Sequence, residues 1–274
     1  GDRFGGGFDS TDAGESVCIS PDGTRVAIGA PSWRSSKGNF TGYVHVYELI
    51  NGVWSRIAGV IQPIGAGPSS GSIIGELYGT SQFSYTGLTV ALSGDGNILA
   101  VSSPGEENFR GVVRVYNWNG SNWNQIGSDI TGSNNFDFSG RGLDISLDGS
   151  RVIIGSEGSG SVRVFNWNGS SWTQIGSSIQ SVGIGDQFGW RVKISDDGTR
   201  IAAAGPKNRN VGDEIVGHVR IFDWDGNDWS QVGSEIEGDF DLGSQNATLA
   251  LDMSSDGKWV VLGEPVNENN ETGN

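Results

Sequence analysis

Short apolar stretches recur along this chain, each bounded by glycine-rich turns. Val17-Cys18-Ile19-Ser20 and Val192-Lys193-Ile194-Ser195 alternate apolar and polar side chains, the pattern of a strand with one buried face. Val26-Ala27-Ile28 and Val152-Ile153-Ile154 are short continuous apolar runs, as expected for a strand buried on both faces. An Asp-Gly pair separates the two kinds of run, and Asn-Gly or Asp-Gly pairs recur downstream. Glycine takes positive φ readily, so such pairs predict hairpin turns. No segment sustains a helical period with caps, so essentially no helix is predicted.

The pattern is a repeat. Asp-Gly stands at Asp22-Gly23, Asp95-Gly96, Asp148-Gly149, Asp197-Gly198 and Asp256-Gly257, at spacings of 73, 53, 49 and 59 residues. Behind each comes a "GAP"-like tripeptide: Gly29-Ala30-Pro31, Ser102-Ser103-Pro104, Gly155-Ser156-Glu157, Ala204-Gly205-Pro206 and Gly263-Glu264-Pro265. A third apolar strand follows at 43–47, 112–116, 161–165 and 218–222, and a fourth opens at Trp54, Trp123, Trp172 and Trp229. Four antiparallel strands repeated at a period near 50 residues predict an all-β fold, a β-propeller of four-stranded blades. The expected organisation is one domain over 1–274, with blades at about 1–64, 79–131, 132–182 and 184–237 and a partial fifth at 238–274. Four complete repeats and a partial one suggest a fragment of a longer array.

Composition narrows the partners. The formal charge of −15 argues against nucleic acid, which selects a basic face. No run of about 20 apolar residues is present to span a membrane. The single cysteine, Cys18, permits no intrachain disulfide and reads as a core thiol. Five N-x-[ST] sequons, at Asn39, Asn119, Asn168, Asn246 and Asn270, favour a secreted or cell-surface glycoprotein. At Asn119 and Asn168 the Asn-Gly pair is equally accounted for by the hairpin.

Phe4-Gly5 with Gly29-Ala30-Pro31, and Phe188-Gly189 with Ala204-Gly205-Pro206, resemble the FG-GAP repeat of integrin-α-type β-propellers. Phe83-Ser84, Phe138-Ser139 and Leu242-Gly243 are weaker copies. The resemblance covers nearly the whole chain and implies a propeller used in extracellular adhesion or ligand binding. In that family the first turn of each blade is often a calcium loop. Here it shrinks to Ser-x-Asp-Gly, and the position of the last carboxylate holds Arg25, Ile98, Arg151, Arg200 or Trp259. These turns are therefore expected to bind no calcium. The acidic Asp223-Trp224-Asp225-Gly226-Asn227-Asp228 segment reads as a turn rather than a metal loop.

No nucleophile-and-base arrangement is legible, and His45 and His218 fall at unrelated positions of their blades. No catalytic residue, metal or cofactor is predicted. The paired tryptophans 118/123, 167/172 and 224/229 read as hairpin clamps; the off-repeat Trp33 and Trp190 suit a sugar site better. Recognition is expected on the face bearing the long variable loops, around Trp33, Arg34, Lys37, Phe109, Arg110, Lys207 and Arg209. The leading functional expectation is a non-enzymatic extracellular propeller with an adhesive or structural role, through an extracellular protein, a carbohydrate or self-assembly. A carbohydrate- or protein-ligand-binding module is the alternative, and a propeller hydrolase or lyase the remote one.

Overall fold

A computed structural model describes residues 13–32, 41–57, 77–78, 83–183, 185–209, 212, 214–238 and 250–263. Five antiparallel sheets follow one another in chain order. The first comprises β1 (Ser16–Ile19), β2 (Arg25–Ala30), β3 (Tyr43–Ile50) and β4 (Val53–Arg56), with β5 (Leu77–Tyr78) also on β3. The second comprises β6 (Val90–Leu92), β7 (Ile98–Ser103), β8 (Val112–Trp118), β9 (Trp123–Gln125) and β10 (Ile130–Thr131). The third comprises β11 (Ser139–Ile145), β12 (Arg151–Ser156), β13 (Ser161–Trp167) and β14 (Trp172–Gln180). The fourth comprises β15 (Arg191–Ile194), β16 (Arg200–Gly205), β17 (His218–Trp224), β18 (Trp229–Gln231) and β19 (Ile236–Glu237). The fifth is the pair β20 (Ala250–Met253) and β21 (Val260–Gly263). The one helical turn among the described residues, α1 (Glu106–Phe109), has left-handed backbone at Glu107, Asn108 and Phe109, with φ of 53°, 58° and 61°.

Apolar faces hold each sheet to the next. Ala27, Val44 and Val46 pack on Val90, Leu99 and Val101; Ala100, Val113 and Val115 on Leu143, Val152 and Ile154. Ile153, Val162 and Val164 pack on Val192, Ile201 and Ala203, and Ala202, Ala204 and Val219 on Leu251. Sheets stacked in sequence in this way are the blades of a β-propeller. The innermost strands β1, β6, β11, β15 and β20 face a central channel of about 430 Å³. Val17 and Ile19 of the first blade, and Trp259 and Val261 of the last, are exposed.

Two side-chain devices reinforce the stack. In the Ser-x-Asp-Gly turn, Ser20 Oγ donates to Asp22 and accepts from Arg25 N, while Thr24 N donates to Asp22. Ser93/Asp95, Ser146/Asp148, Ser195/Asp197 and Ser254/Asp256 repeat the arrangement. The arginine two residues after the glycine then reaches the next blade. Arg25 donates to Gly96 O at 3.0 Å, Arg151 to Gly198 O at 2.7 Å and Arg200 to Gly257 O at 3.2 Å. An arginine thus stands where a calcium loop would place its final carboxylate, and it ties neighbouring turns together.

The tryptophans form the second device. Trp118↔Trp123, Trp167↔Trp172 and Trp224↔Trp229 are cross-strand partners with ring centres 5.4, 5.3 and 5.1 Å apart. They also lock blades together. Trp172 Nε1 donates to Ile126 O and Trp229 Nε1 to Ile175 O, both in the preceding blade. Gly127 and Gly176, at φ of 73° and 67°, leave room for these pairs. A Cβ on Gly127 would lie 2.8 Å from Trp172, and one on Gly176 2.8 Å from Trp229.

Candidate ligand-binding site

The hydrogen-bond register shows which residues reach the channel mouth on the loop face. Gly14 N, Gly87 N and Gly189 N donate to Gly29 O, Ser102 O and Ala204 O, at one level of successive blades. Gly140 holds the corresponding place ahead of Gly142, which pairs with Gly155. All four have φ between 83° and 96°. Phe188-Gly189 therefore aligns with Ala13-Gly14, Thr86-Gly87 and Ser139-Gly140. The phenylalanine of the FG-GAP resemblance is present in one of these four leads, and Phe4-Gly5 lies outside the described residues. The propeller stands; identity with the FG-GAP repeat is not shown.

The residue after that glycine is Glu15, Leu88, Arg141 or Trp190 in successive blades; the first three line the mouth, and Trp190 packs against Arg141. The next position holds Ser16, Thr89, Gly142 or Arg191. Glu157 joins them from the end of β12, where other blades carry Pro31, Pro104 and Pro206. A cleft of about 350 Å³ opens here, walled by Tyr85, Leu88 and Phe138 with Pro31 and Pro104, and lined on its polar side by Arg141, Glu157 and Glu15. Arg141, Glu15 and Leu88 also line the channel, so cleft and channel meet at them. Tyr85 and Phe138 are held at φ of 53° and 51°, left-handed backbone that is costly for a bulky side chain.

Several polar atoms of this mouth are buried without hydrogen-bond partners: Arg141 Nε, Glu157 Oε2 and Trp190 Nε1. Arg141 Nε and Glu157 Oε2 are 3.8 Å apart, beyond hydrogen-bond reach. Trp190 carries the Arg141 guanidinium 4.0 Å, and that of Arg191 5.9 Å, from its ring centre. Burial, and then the Arg141 charge, lower the Arg191 pKa. Burial raises the Glu157 carboxyl above its ordinary value, against the pull of Arg141, Arg191 and Lys207. Deeper in the channel, Lys193 lies 4.0 Å from Asp144 and 3.3 Å from Asp252. Burial raises Asp144, and its charge in turn raises Lys193. Burial pushes the Cys18 thiol up to about 12, which disfavours the thiolate at neutral pH.

The residues expected to recognise a ligand are dispersed. Trp33, Arg34 and Lys37 lie outside the described residues, as do Asn39, Asn246 and Asn270. Phe109 stacks on Phe136 at 5.8 Å, and Arg110 lies 3.7 Å from Glu107, both on the left-handed turn. Arg209 is exposed and bridges to Ile215. Of the expected residues that are described, Lys207 acts on the mouth, through its charge on Glu157. Asn119 and Asn168 sit in exposed hairpin turns, each accepting two backbone N–H bonds on Oδ1. His218 is fully buried between Glu235 at 2.9 Å and Asp186 at 3.5 Å. In the acidic turn, Asp225 accepts from Asn227 and Asp228, Asp228 binds Ser177 of the preceding blade, and Asp223 pairs with Arg200. No cluster of three or more metal-ligating side chains occurs among the described residues.

No family model matches this chain, and no curated protein resembles it in sequence. Solved structures resemble it in fold. One is hydrazine synthase from Kuenenia stuttgartiensis, with a TM-score of 0.58 at 19% identity over 98% of this chain and 60% of that one. Another, from Bacteroides fragilis, is provisionally assigned as a 6-phosphogluconolactonase, with a TM-score of 0.51 at 15% identity, covering 91% of this chain and 76% of that one. A third is a protein from Lactobacillus plantarum, with a TM-score of 0.56 at 12% identity, covering 91% of this chain and 63% of that one. At such identities the likeness establishes the fold alone. The chain is a β-propeller. It spans less than two thirds of the first and third of these structures. Two of the three bear enzyme names, which corrects the expectation of a non-enzymatic chain. The physical reason is that repeat landmarks build the blades, whereas chemistry resides in side chains that depart from the repeat. A sequence dominated by landmarks is no argument against catalysis.

Arg141, Arg191 and Glu157 were not singled out from the sequence. A signal was present at Glu157, which replaces the proline of the GAP-like tripeptide, whereas the positions of Arg141 and Arg191 carry a different residue in each of the four aligned blades. Trp190 was noted as off-repeat, and it stands beside them.

Proposed function

We propose that this protein is a saccharide-recognising β-propeller of the cell envelope or exterior, with its ligand at the loop-face mouth of the channel. The observation that carries this reading is the cleft itself. It joins an apolar wall of Tyr85, Leu88 and Phe138 to buried, unpartnered hydrogen-bonding atoms on Arg141 and Glu157. Sugars present apolar C–H faces together with hydroxyls that donate and accept, and a site combining few convergent polar groups with apolar walls suits them. The charge of −15 and the sequons at Asn39, Asn246 and Asn270, where no Asn-Gly pair accounts for the asparagine, support the setting outside the cytoplasm. The adhesive or structural role expected from the sequence has no comparable supporting feature among the described residues.

The test is a glycan panel followed by calorimetric titration of the full chain. Saturable binding is expected, weakened about tenfold, or ~1.4 kcal/mol, by Phe138→Ala. A panel with no bound glycan would sink the reading. Release of new reducing ends in the same samples would make the mouth catalytic as well as binding.

A further inference from the structure

The described arginines differ in how far the fold occupies their donors. Arg25 is paired with Glu48 at 2.9 Å, Arg200 with Asp223 at 2.6 Å, and Arg114 with both Glu106 and Asp129 at 2.7 and 2.8 Å. Arg163 donates to Thr131 O and Ser139 Oγ, and Arg220 to Gln231 and Gln180 O. Each of these has at least two partners in the fold, whereas Arg151 donates to Gly198 O, and Arg110 lies 3.7 Å from Glu107 with its Nε unpartnered, neither of them lining the mouth. Arg191 has one hydrogen bond, to Trp190 O at 3.3 Å, and no ion pair among the described residues. Arg141 has one ion-pair partner among the described residues, Glu157 at 3.8 Å, and its Nε is without a hydrogen bond. A guanidinium is always charged and presents five donors, so these two retain most of their binding capacity.

Neither is needed for the blade. Leu88 and Glu15 occupy the place of Arg141 in other blades, and Ser16, Thr89 and Gly142 that of Arg191. Two cations with donors to spare therefore converge, with the charge of Lys207 added, and three cations face the two carboxylates of Glu15 and Glu157, at the mouth of a chain whose formal charge is −15. Holding like charges together in a partly buried site costs free energy, and an anion relieves it. Planar guanidinium forks match the paired oxygens of a carboxylate, as they do those of a phosphate. Glu157 Oε2 lacks a donor, and a sugar hydroxyl supplies one.

Resting on the saccharide reading above, we infer that the ligand is an acidic sugar of the uronate class. Its carboxylate binds Arg141 and Arg191, a ring hydroxyl donates to Glu157, and its apolar face packs on Tyr85, Leu88 and Phe138.

The experiment is calorimetric titration of the full chain with glucuronate and galacturonate, and with glucose and galactose, as monomers and as short oligomers. The acidic members should bind at least about tenfold tighter than their neutral counterparts. That ratio should shrink as sodium chloride is raised, because added salt screens the attraction. Arg191→Gln should bring the ratio towards one, and Arg191→Lys should restore part of it. Equal affinity for acidic and neutral sugars overturns the inference and leaves the saccharide site intact. Absence of binding by every member removes both. Should Arg191→Gln fail to fold, a ratio in the native protein that does not respond to salt also overturns the inference.

Discussion

One residue type plays opposite parts in this protein. Arg25 has its guanidinium shared between Glu48 within its blade and Gly96 O and Asn97 in the next. It is 8% exposed, so its partners would be left in a site with little water. Hydrogen bonds involving a charged group contribute about 1.5–3 kcal/mol. Arg25→Met, which keeps much of the stem packing, should lower stability by roughly 1–3 kcal/mol in urea unfolding. A change within error would mean that water satisfies these groups equally well and that the arginine is no staple. Arg141 and Arg191 are the contrary case, since the fold leaves their donors unspent. The repeat makes this difference visible only when blades are aligned by register. In sequence all three are simply arginines near glycines.

Strand and turn landmarks acquire their meaning from the next blade. The glycine closing each Trp-x-x-[Ile/Val]-Gly segment is a case in point. Gly127 and Gly233 have similar φ, 73° and 69°, so alanine should cost each about 1–2 kcal/mol of left-handed strain. Gly233 has nothing within 4 Å of an added Cβ, whereas at Gly127 that atom would meet Trp172 at 2.8 Å and Trp167 at 2.9 Å. Gly127→Ala should therefore destabilise by roughly a further 1–3 kcal/mol from overpacking. Thermal melts of the two variants compare them directly. Equal effects would show that the tryptophan pair does not depend on close approach to the preceding blade. The hairpin role of each pair was legible from its spacing. Its inter-blade role was not, because it joins Trp172 to Ile126, 46 residues earlier.

At the scale of the whole molecule, acidic groups pull stability in two directions. Hydrogen bonds from Ser20 and Thr24 hold Asp22 below its ordinary value of 3.8, as those from Thr199 and Ser195 do Asp197. Asp95 and Asp148 are also lowered, their turn donors outweighing burial. A lowered carboxyl stabilises the fold above its unfolded value and loses that contribution as pH falls through the folded one. Asp144 and Glu157 are raised by burial, so the folded state binds their protons first. Acidification towards their unfolded values, 3.8 and 4.5, then adds stability. Stability should accordingly reach a maximum at mildly acidic pH and fall steeply below about 3.8, with Asp144→Asn flattening the initial gain. Urea unfolding across pH measures this, and a steady decline from neutral pH downward would contradict it.

The blade was determined by local chemistry, which a sequence displays. Period-two alternation, Asp-Gly turns and a regular order of landmarks specify hairpins, and repetition leaves them little choice but to stack. The Ser-Asp hydrogen bonds span two residues, and they too were implicit in the turn. The mouth was decided by tertiary structure. Arg141, Glu157 and Trp190 come from two blades and two repeat positions, and only the stacking of the blades brings them together at the mouth. Whether an arginine is saturated depends on partners as distant as Gly96 is from Arg25, 71 residues. Local pattern carries conformational preference, whereas electrostatic satisfaction is a property of the assembled fold.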